Sequence, residues 1–304
     1  MGVLYIVEGH GGSRRSRDGV ARRVVAAAGS AGWTPSIVSL EELGRHVADR
    51  AHPVARVVLC GGDGLIHRAL PLVVGSDIEV AIVPVGSGND FVRSFGIDGD
   101  EAVRLAASPP STNRSAAGVD VITVAADRAD TVVLAASVLT AGYSGRVTAT
   151  ANRMRFPPGS AKYTAAALRE IGRLTPVEAR IALTDADGRE LEVIEGPLTM
   201  FAVGNTGFFG GGMHICPNAD ATDGQLDVVA VGPIGRLDFM RWLPRVFKGS
   251  HLDHAAVTTG RAGRVMIETA EPLWADGEQL HALHGQQVHV VRAQPGALRL
   301  LRAT

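Results

Sequence analysis

The sequence predicts an α/β domain built on a parallel sheet, followed by an antiparallel β-sandwich domain. In the first third of the chain, short apolar runs alternate with helix-like stretches, which is typical of a parallel sheet covered by helices. After about residue 112, β-like runs follow one another with only two helix-like stretches among them, which is typical of a sandwich. We therefore expect a first domain over residues 1–112 and a second over 113–292, with a C-terminal strand, 293–304, that returns to the first.

The length and composition exclude several classes of protein. With 304 residues, the chain is long enough for two domains that each have a core. Hydrophobic residues make up 46% and charged residues 20%, which argues against a disordered chain. The formal net charge of −1 provides no basic field that would attract nucleic acid. Cys60 and Cys216 lack metal-ligand spacing, so we expect two buried thiols.

No part of the sequence predicts a membrane span. No stretch reaches ~18 uninterrupted apolar residues, and no secretory signal is visible at the N-terminus. No basic amphipathic helix is apparent, so a membrane-bound structural role is not expected. We expect a cytoplasmic protein, with peripheral contact at a membrane surface and a homodimer both left open.

The elements of the first domain follow from apolar runs that end in glycine or polar residues. Buried strands are expected at Val3–Val7, Ile37–Leu40, Val57–Cys60 and Ile78–Val83. Helical segments are expected at Asp18–Ala28, Leu43–Arg50, Leu65–Val74 and Phe91–Phe95. Pro71 should kink or shorten the third helix. In such a domain, ligand-binding residues are expected at the carboxyl ends of the strands.

The second domain is predicted from a series of β-like runs. These are Val119–Val124, Val132–Thr140, Val177–Leu183, Leu191–Ile194, Leu198–Val203, Leu226–Val231, Val265–Glu268, Val288–Arg292 and Leu298–Leu301. Asp187-Gly188 lies between two of them and predicts a β-hairpin. Two helices are expected, at Ala161–Leu174 and Arg236–Phe247. Their apolar residues at helical spacing are Ala165, Leu168 and Ile171 in the first, and Leu237, Met240, Leu243 and Phe247 in the second.

Two glycine-rich turns provide the strongest functional signal. Each follows an apolar run, in Val57-Val-Leu-Cys-Gly-Gly-Asp-Gly-Leu65 and in Val80-Ala-Ile-Val-Pro-Val-Gly-Ser-Gly-Asn-Asp90. Bare backbone N–H groups and the positive end of a helix favour a phosphate at such turns. Two turns side by side indicate a polyphosphate such as a nucleotide. The alternative is a pair of ordinary connections whose glycines only supply positive φ.

These turns belong to a set of four motifs that follow one another along the chain. The motifs are Gly61-Gly-Asp-Gly64, Pro84-Val-Gly-Ser-Gly-Asn-Asp-Phe91, Pro217-x-Ala219 with Asp223-Gly-x-Leu-Asp227, and Asp276-Gly-Glu278. Together they resemble the diacylglycerol kinase catalytic-domain family, which includes bacterial soluble lipid kinases and eukaryotic sphingosine and ceramide kinases. The resemblance implies an active site in the cleft between the two domains. It also implies ATP- and Mg²⁺-dependent phosphoryl transfer to a hydroxyl of a lipid or lipid-like acceptor.

The resemblance also implies which residues bind the nucleotide. Asp90 is implied to hold a metal through water, although the residue alone could equally be a helix N-cap. The loop Gly9–Ser13 ends the first strand and could contact phosphate. The full set of candidate nucleotide-binding residues is Gly12, Ser13, Ser39, Gly61, Gly62, Asp63, Gly64, Leu65, His67, Gly86, Ser87, Gly88, Asn89 and Asp90.

Two acids are candidates for the general base that accepts the hydroxyl proton. By resemblance, Asp63 belongs either to the metal–phosphate network or, as in the sphingosine kinase branch, to general-base catalysis. Glu278 corresponds to the proposed general base of the bacterial enzymes. Without the resemblance, Glu278 is an exposed residue after a tight Asp276-Gly277 turn. A general base contributes typically ~10²–10⁴-fold to the rate, so losing it should cripple turnover.

An acidic loop offers a candidate Mg²⁺ site. Carboxylates in Asp220-Ala-Thr-Asp-Gly-Gln-Leu-Asp227 have spacings that one oxygen-liganded loop could use, and an acidic β-turn is the alternative. By resemblance to the bacterial members, the ligands of a structural Mg²⁺ would be Asp220, Asp223 and the backbone carbonyl of Gln225.

Some positions depart from the family pattern. Leu65 stands in place of the usual threonine, and Arg68 in place of a glutamate. Ser39 stands where a nucleotide-contacting threonine is typical. Leu65 and Arg68 leave open a nucleotide-binding regulator without turnover. A further alternative is an NAD kinase-like enzyme, which shares the Gly-Gly-Asp-Gly turn and a β-rich second domain, although Pro84–Phe91 and Asp276-Gly-Glu278 argue against it.

Overall fold

The chain divides into two compact units. The computed structural model describes residues 3–9, 14–49, 51–86, 88–109, 116–126, 131–157, 161–185, 187–283, 285 and 287–302, and only the backbone of residues 14–18. Unit 1 comprises Met1–Val119 and Pro295–Thr304, and unit 2 comprises Asp120–Gln294. The predicted boundary at residue 112 lies outside the described residues, and the division falls at residues 119 and 120.

Unit 1 is an α/β domain, as predicted. Its elements are β1 (Val3–Glu8), α1 (Arg14–Ser30), β2 (Thr34–Val38), α2 (Leu40–Ala48), β3 (Val54–Gly61), α3 (Asp63–Val73), β4 (Glu79–Pro84), α4 (Asp90–Arg93) and α5 (Gly99–Ala106). The strands form a parallel sheet in the order β2-β1-β3-β4. Arg299 and Leu300, at the end of β18 (Val288–Leu300), pair in parallel with β4.

The central strands of unit 1 are buried on both faces. Every residue of β3 except Ala55 is buried, and Val80–Val83 of β4 are buried as well. Such continuous apolar runs are typical of parallel sheets covered by helices. The second strand ends earlier than predicted, because Ser39 caps α2. Its hydroxyl accepts a hydrogen bond from Glu42 N at 3.2 Å, and the Glu42 carboxylate accepts one from Ser39 N at 2.7 Å.

Arg56 connects the sheet of unit 1 to the end of α5 and the residues that follow it. Its side chain is 2% exposed, and its guanidinium lies 2.6 Å from the Glu79 carboxylate. The same guanidinium donates to the backbone carbonyls of Ala106 and Ser108 at 3.1 and 2.7 Å, and it stacks on the Trp33 ring at 4.6 Å. The charge is therefore compensated although it is buried.

Unit 2 consists mainly of antiparallel strands. Its elements are β5 (Ala117–Ala126, which begins in unit 1), β6 (Val132–Ala135), β7 (Val138–Gly142), α6 (Tyr143–Arg153), α7 (Ala161–Ile171), β8 (Val177–Thr184), β9 (Glu190–Leu198), β10 (Met200–Gly204), β11 (Phe208–Phe209), β12 (Met213–His214), β13 (Leu226–Val231), α8 (Arg236–Phe247), β14 (Val257–Ala262), β15 (Arg264–Thr269), β16 (Trp274–Ala275), β17 (Glu278–Gln279), a 3₁₀ turn (His281–Leu283) and the first part of β18.

These strands form the predicted β-sandwich. One sheet has the order β14-β13-β10-β7-β16-β17, and in the other β15 pairs with β18 and β8, which pairs with β9. Between the sheets lies a core that includes Leu139, Ile181, Phe201, Val228 and Val265, all at most 1% exposed. The predicted hairpin at Asp187-Gly188 joins β8 to β9, and Gly188 has a φ of +85°.

Helices α6, α7 and α8 cover the outer face of the first sheet. A second core joins strand residues such as Met200 and Val229 to Tyr143, Phe239 and Trp242 of the helices. Helices α7 and α8 were predicted and α6 was not, and the residues at helical spacing in α7 and α8 are only partly the ones that are buried. Helix α8 buries Phe239, Trp242 and Val246, whereas Leu237, Met240 and Phe247 are exposed. Helix α7 likewise buries Ala166, Ala167, Glu170 and Ile171 and exposes Leu168.

Both cysteines are buried thiols, as expected. Burial raises the pKa of Cys60 to about 12 and also raises the pKa of Cys216. Both side chains are therefore protonated and unreactive at neutral pH.

Within the ranges described above, no helix is long and apolar enough to cross a membrane.

We predict that Arg56→Met lowers the free energy of unfolding of unit 1 by about 3 kcal/mol, because it leaves two buried carbonyls and Glu79 without their partner. Denaturant unfolding followed by fluorescence of Trp33 and by circular dichroism measures this change. The matched control is Arg299→Met, which removes an exposed ion pair with Asp77 and should cost less than about 1 kcal/mol. Equal stability of the two variants would contradict the role of Arg56.

Candidate active site

The first glycine turn lies at the carboxyl end of β3. The strand ends at Gly61, Gly62 is the N-cap residue of α3, and the helix begins at Asp63. No side chain among the described residues caps this helix at Gly62. The positive end of α3 therefore lies at the edge of the sheet where a ligand is expected.

The second glycine turn lies against the first. A Cβ atom added to Gly86 would lie 2.7 Å from the Cα of Gly62, and one added to Gly62 would lie 3.1 Å from the Cα of Gly86. The two backbones touch, so a side chain at residue 86 would displace the first turn. The turn is completed by Asn89, which has a left-handed φ of +53° and donates from Nδ2 to the Gly86 carbonyl at 2.8 Å.

Asp63 ties the two turns together. One oxygen of its carboxylate accepts a hydrogen bond from Asp90 N at 3.2 Å, and the other accepts one from Phe91 N at 3.1 Å. The side chain of Asp63, a residue of the first turn, thus accepts the hydrogen bonds of the first two N–H groups of α4. A Cβ atom at Gly88 would lie only 3.0 Å from the same carboxylate, so a side chain at this position would press on Asp63.

Asp90 does not serve as a helix N-cap, which was the alternative to a metal role. The N-cap position of α4 belongs to Asn89, and Asp90 is the first residue of the helix. Its side chain is buried, and one oxygen lies 3.8 Å from Nε of Arg93. A second carboxylate is thus held close to Asp63.

The departures from the family pattern have local explanations. The Leu65 side chain is 3% exposed, and its methyl group would lie 2.6 Å from a Cβ at Gly61. Leu65 thus packs under the glycine turn. Arg68 donates from Nε to the Gly64 carbonyl at 3.0 Å, so its side chain lies along α3.

The remaining predicted nucleotide-binding residues are placed as follows. His67 lies partly buried on α3. The Ser39 hydroxyl takes part in the cap of α2. Gly12, Ser13 and Ser87 lie outside the residues that the structure describes. The structure therefore brings together Gly61, Gly62, Asp63, Gly86, Gly88, Asn89 and Asp90.

Glu278 follows a tight hairpin turn in unit 2. Asp276 and Gly277 have φ of +52° and +86°, which is typical of a type I′ turn between β16 and β17. The Asp276 carboxylate accepts hydrogen bonds from Ala136 N at 2.7 Å and Ser137 N at 2.8 Å. The turn is therefore anchored, and Glu278 projects from it as an exposed residue.

The predicted metal ligands of the acidic loop, Asp220 and Asp223, have partners within the protein. The carboxylate of Asp220 accepts from Thr222 N and Oγ1, and that of Asp223 accepts from Gln225 N. The Arg261 guanidinium forms an ion pair with Asp223. In the described part of the chain, no group of three or more His, Cys, Asp or Glu side chains could hold a metal ion. We therefore derive no step through a metal at this loop.

Arg261 also approaches a second acid of the loop. Its Nε lies 3.5 Å from the Asp227 carboxylate, which is 14% exposed, and burial raises the pKa of Asp227 to about 6. One guanidinium thus lies between two carboxylates of the predicted metal loop. The Arg261 guanidinium therefore supplies a positive charge to this loop.

Asp120 supports this loop and was not among the predicted residues. It is 1% exposed, its carboxylate accepts from Gly224 N at 2.7 Å, and its own N–H donates to the Ala221 carbonyl at 2.7 Å. Asn205 Nδ2 donates to the Asp120 carbonyl at 2.8 Å. An acid inside the apolar run of β5 was the signal that could have identified it.

Two family descriptions match the chain. The diacylglycerol kinase catalytic domain matches residues 2–124, and the YegS C-terminal NAD kinase beta sandwich-like domain matches residues 137–302. Together the two matches include both units and all four sequence motifs.

Named relatives agree with these matches. A diacylglycerol kinase from Mycobacterium tuberculosis is 35% identical over 81% of this chain and 76% of its own length. A probable lipid kinase YegS-like protein from Pseudomonas aeruginosa is 27% identical over 93% of this chain and 81% of its own. A crystal structure of a diacylglycerol kinase from Bacillus anthracis str. Sterne has the same fold, with a TM-score of 0.68 and 18% identity over 99% of this chain and 97% of that one. The chain belongs to the diacylglycerol kinase catalytic-domain family.

Proposed function

We propose that this protein transfers the γ-phosphate of MgATP to a hydroxyl of a lipid. The observation that carries the proposal is the carboxylate of Asp63, which holds two touching glycine turns in one arrangement. Family membership and the names of the relatives support the lipid as acceptor. The Mg²⁺ that arrives with ATP spreads the charge of the phosphates.

The glycine turns would receive the phosphates. Gly62 and Gly86 lack side chains, so a polyphosphate can approach backbone N–H groups directly. The beginnings of α3 and α4 add the positive ends of two helices, although α4 is only one turn long. Asp63 and Asp90 are the nearby carboxylates that could contact the Mg²⁺ of MgATP.

The two candidate bases have different surroundings. Each oxygen of Asp63 already accepts a backbone hydrogen bond, which orients the carboxylate and stabilises its ionised form. Asp63 is therefore better suited to positioning the nucleotide than to accepting a proton. Glu278 is exposed on an anchored turn, so its carboxylate is accessible to a substrate. We assign proton acceptance to Glu278.

A small apolar cavity lies in unit 2 between α6, α7 and α8. Residues that line it include Val147, Ala167, Phe209, Met213 and Leu243. Its volume of about 20 Å³ is roughly the room that one water molecule needs, so the cavity does not hold an acyl chain as it stands. The lipid as acceptor is therefore supported by the family and not by this cavity.

Gly86→Ala should weaken nucleotide binding by about tenfold or more, because the new methyl group overlaps Gly62 and forces the turns apart. Calorimetric titration with a non-hydrolysable ATP analogue and Mg²⁺ measures the affinity. Gly99→Ala is the matched control, since nothing lies within 4 Å of a Cβ at that position. Unchanged affinity in a folded Gly86→Ala variant would rule out the turn as the phosphate site.

Glu278→Gln should lower kcat by ~10²–10⁴-fold and leave ATP affinity unchanged, because it removes only the proton acceptor. Asp63→Asn should lower both ATP affinity and kcat, because its amide cannot accept from both backbone N–H groups. The assay follows labelled γ-phosphate from ATP into diacylglycerol and other lipid alcohols in mixed micelles, with NAD as a further acceptor. Glu195→Gln, an exposed acid on β9, is the control.

The outcomes of this assay distinguish the lipid kinase from the two alternatives and test the assignment of the base. Full activity of Glu278→Gln would overturn the assignment of the base. Label in NAD alone would place the protein with the NAD kinases. Bound ATP without label in any acceptor would support a regulator without turnover.

Arg261→Met should make the acidic loop dependent on added Mg²⁺. The variant leaves Asp223 and Asp227 without their cation, so we expect a loss of about 1 kcal/mol that Mg²⁺ restores. Thermal unfolding of the nucleotide-free protein with Mg²⁺ or with a chelator measures this. Arg241→Met, which removes an exposed ion pair with Asp238, is the control. Destabilisation of the wild type by the chelator would instead indicate the Mg²⁺ site that the family resemblance implies.

A further inference from the structure

Helix α8 has two apolar ridges, and only one of them is buried. The buried ridge faces the first sheet of unit 2. At about 100° per residue, Leu237, Met240, Pro244 and Phe247 fall within about 80° on another side of the helix. We call these four residues the outer ridge. Leu237, Met240 and Phe247 are 66%, 42% and 46% exposed.

Helix α7 and the segment before it also expose large apolar side chains. Leu168 of α7 is 62% exposed, and Phe156, in the segment between α6 and α7, is 80% exposed. Single exposed apolar residues are common, but several large ones along one side of α8 mark an interaction surface.

Basic residues flank the outer ridge. Residues 236–248 contain four basic side chains, Arg236, Arg241, Arg245 and Lys248, and one acid, Asp238, in a chain whose net charge is −1. Arg241 pairs with Asp238 and Arg245 with Asp253. The segment therefore keeps a positive charge next to its exposed apolar surface.

Although no basic amphipathic helix was apparent in the sequence, the exposed ridge of α8 and its basic flank have this character and fit one class of partner best. Helices with this pattern lie in the interface of a bilayer, with the apolar side among the acyl chains and the basic side among anionic head groups. We propose that the outer ridge of α8 docks unit 2 onto a membrane that contains anionic lipids.

Leu243 lies between the buried ridge and the outer ridge of α8, and it also lines the small apolar cavity of unit 2. The docked surface would thus adjoin the buried apolar side of the helix. The docking itself depends on neither ATP nor turnover, so it can be tested apart from the proposed kinase activity.

The test is flotation of the full chain with vesicles of phosphatidylcholine alone or mixed with phosphatidylglycerol, without nucleotide. We expect the wild type to bind the mixed vesicles and to be released by salt. The triple variant Leu237→Ser, Met240→Ser and Phe247→Ser should bind at least about tenfold more weakly. Arg236→Gln with Lys248→Gln should lose about fivefold per charge on the mixed vesicles only.

The control replaces an exposed leucine of the same unit. Leu191→Ser removes a side chain that is 63% exposed on β9 and should leave vesicle binding unchanged. Circular dichroism and thermal unfolding establish that every variant is folded. The proposal is overturned if the wild type does not float with the mixed vesicles, or if the triple variant binds as tightly as Leu191→Ser.

Light scattering tests whether a second copy of the chain, rather than a membrane, covers the outer ridge. If the wild type forms a dimer that the triple variant does not, the outer ridge is an interface between two copies and docking to a membrane is wrong. We expect the same mass for both proteins.

Discussion

The candidate nucleotide site depends on the two hydrogen bonds that Asp63 accepts from the start of α4. A helix of four residues has too few internal hydrogen bonds to be stable alone, so its first turn needs an external acceptor. Asp63 supplies that acceptor from another strand–turn–helix unit. The contact between Gly62 and Gly86 then brings the two backbones as close as they can come. This arrangement explains why both turns have glycine where the two backbones meet.

Local patterns were enough to predict most of unit 1. Four parallel strands, the helices between them and the two turns follow from apolar runs and glycines that are adjacent in the sequence. The hairpin at Asp187-Gly188 and the tight turn before Glu278 could be predicted for the same reason. The residues of the turns were identified, but their contacts were not, because Asp63 and Asp90 are 27 positions apart.

The polar residues that the sequence could not place all act over long separations. Asp120 accepts from Gly224, 104 positions away, and Arg261 reaches Asp223 across 38 positions. A ladder of β-strands makes these approaches possible, since β13 and β14 pair Asp227 directly with Arg261. The carboxylate spacing of the loop predicts a metal site, which stays a prediction, and the structure adds an arginine beside Asp223 and Asp227. The spacing of residues within a loop shows which carboxylates the loop contains. It does not show which side chain of a distant strand will lie beside them.

Helix α8 explains why its buried face could not be predicted from periodicity. Its sequence satisfies helical spacing twice, once through Leu237, Met240 and Phe247 and once through Phe239, Trp242 and Val246. The second set contains two aromatic rings, and these pack against Tyr143 and His251 of the same unit with ring centroids 4.6 and 5.5 Å apart. Burying the larger set gains more apolar contact area, so that set faces the sheet. The side chains of the first set stay 42–66% exposed in the part of the chain that the structure describes, and exposed apolar residues on this scale favour association with a bilayer or another apolar surface.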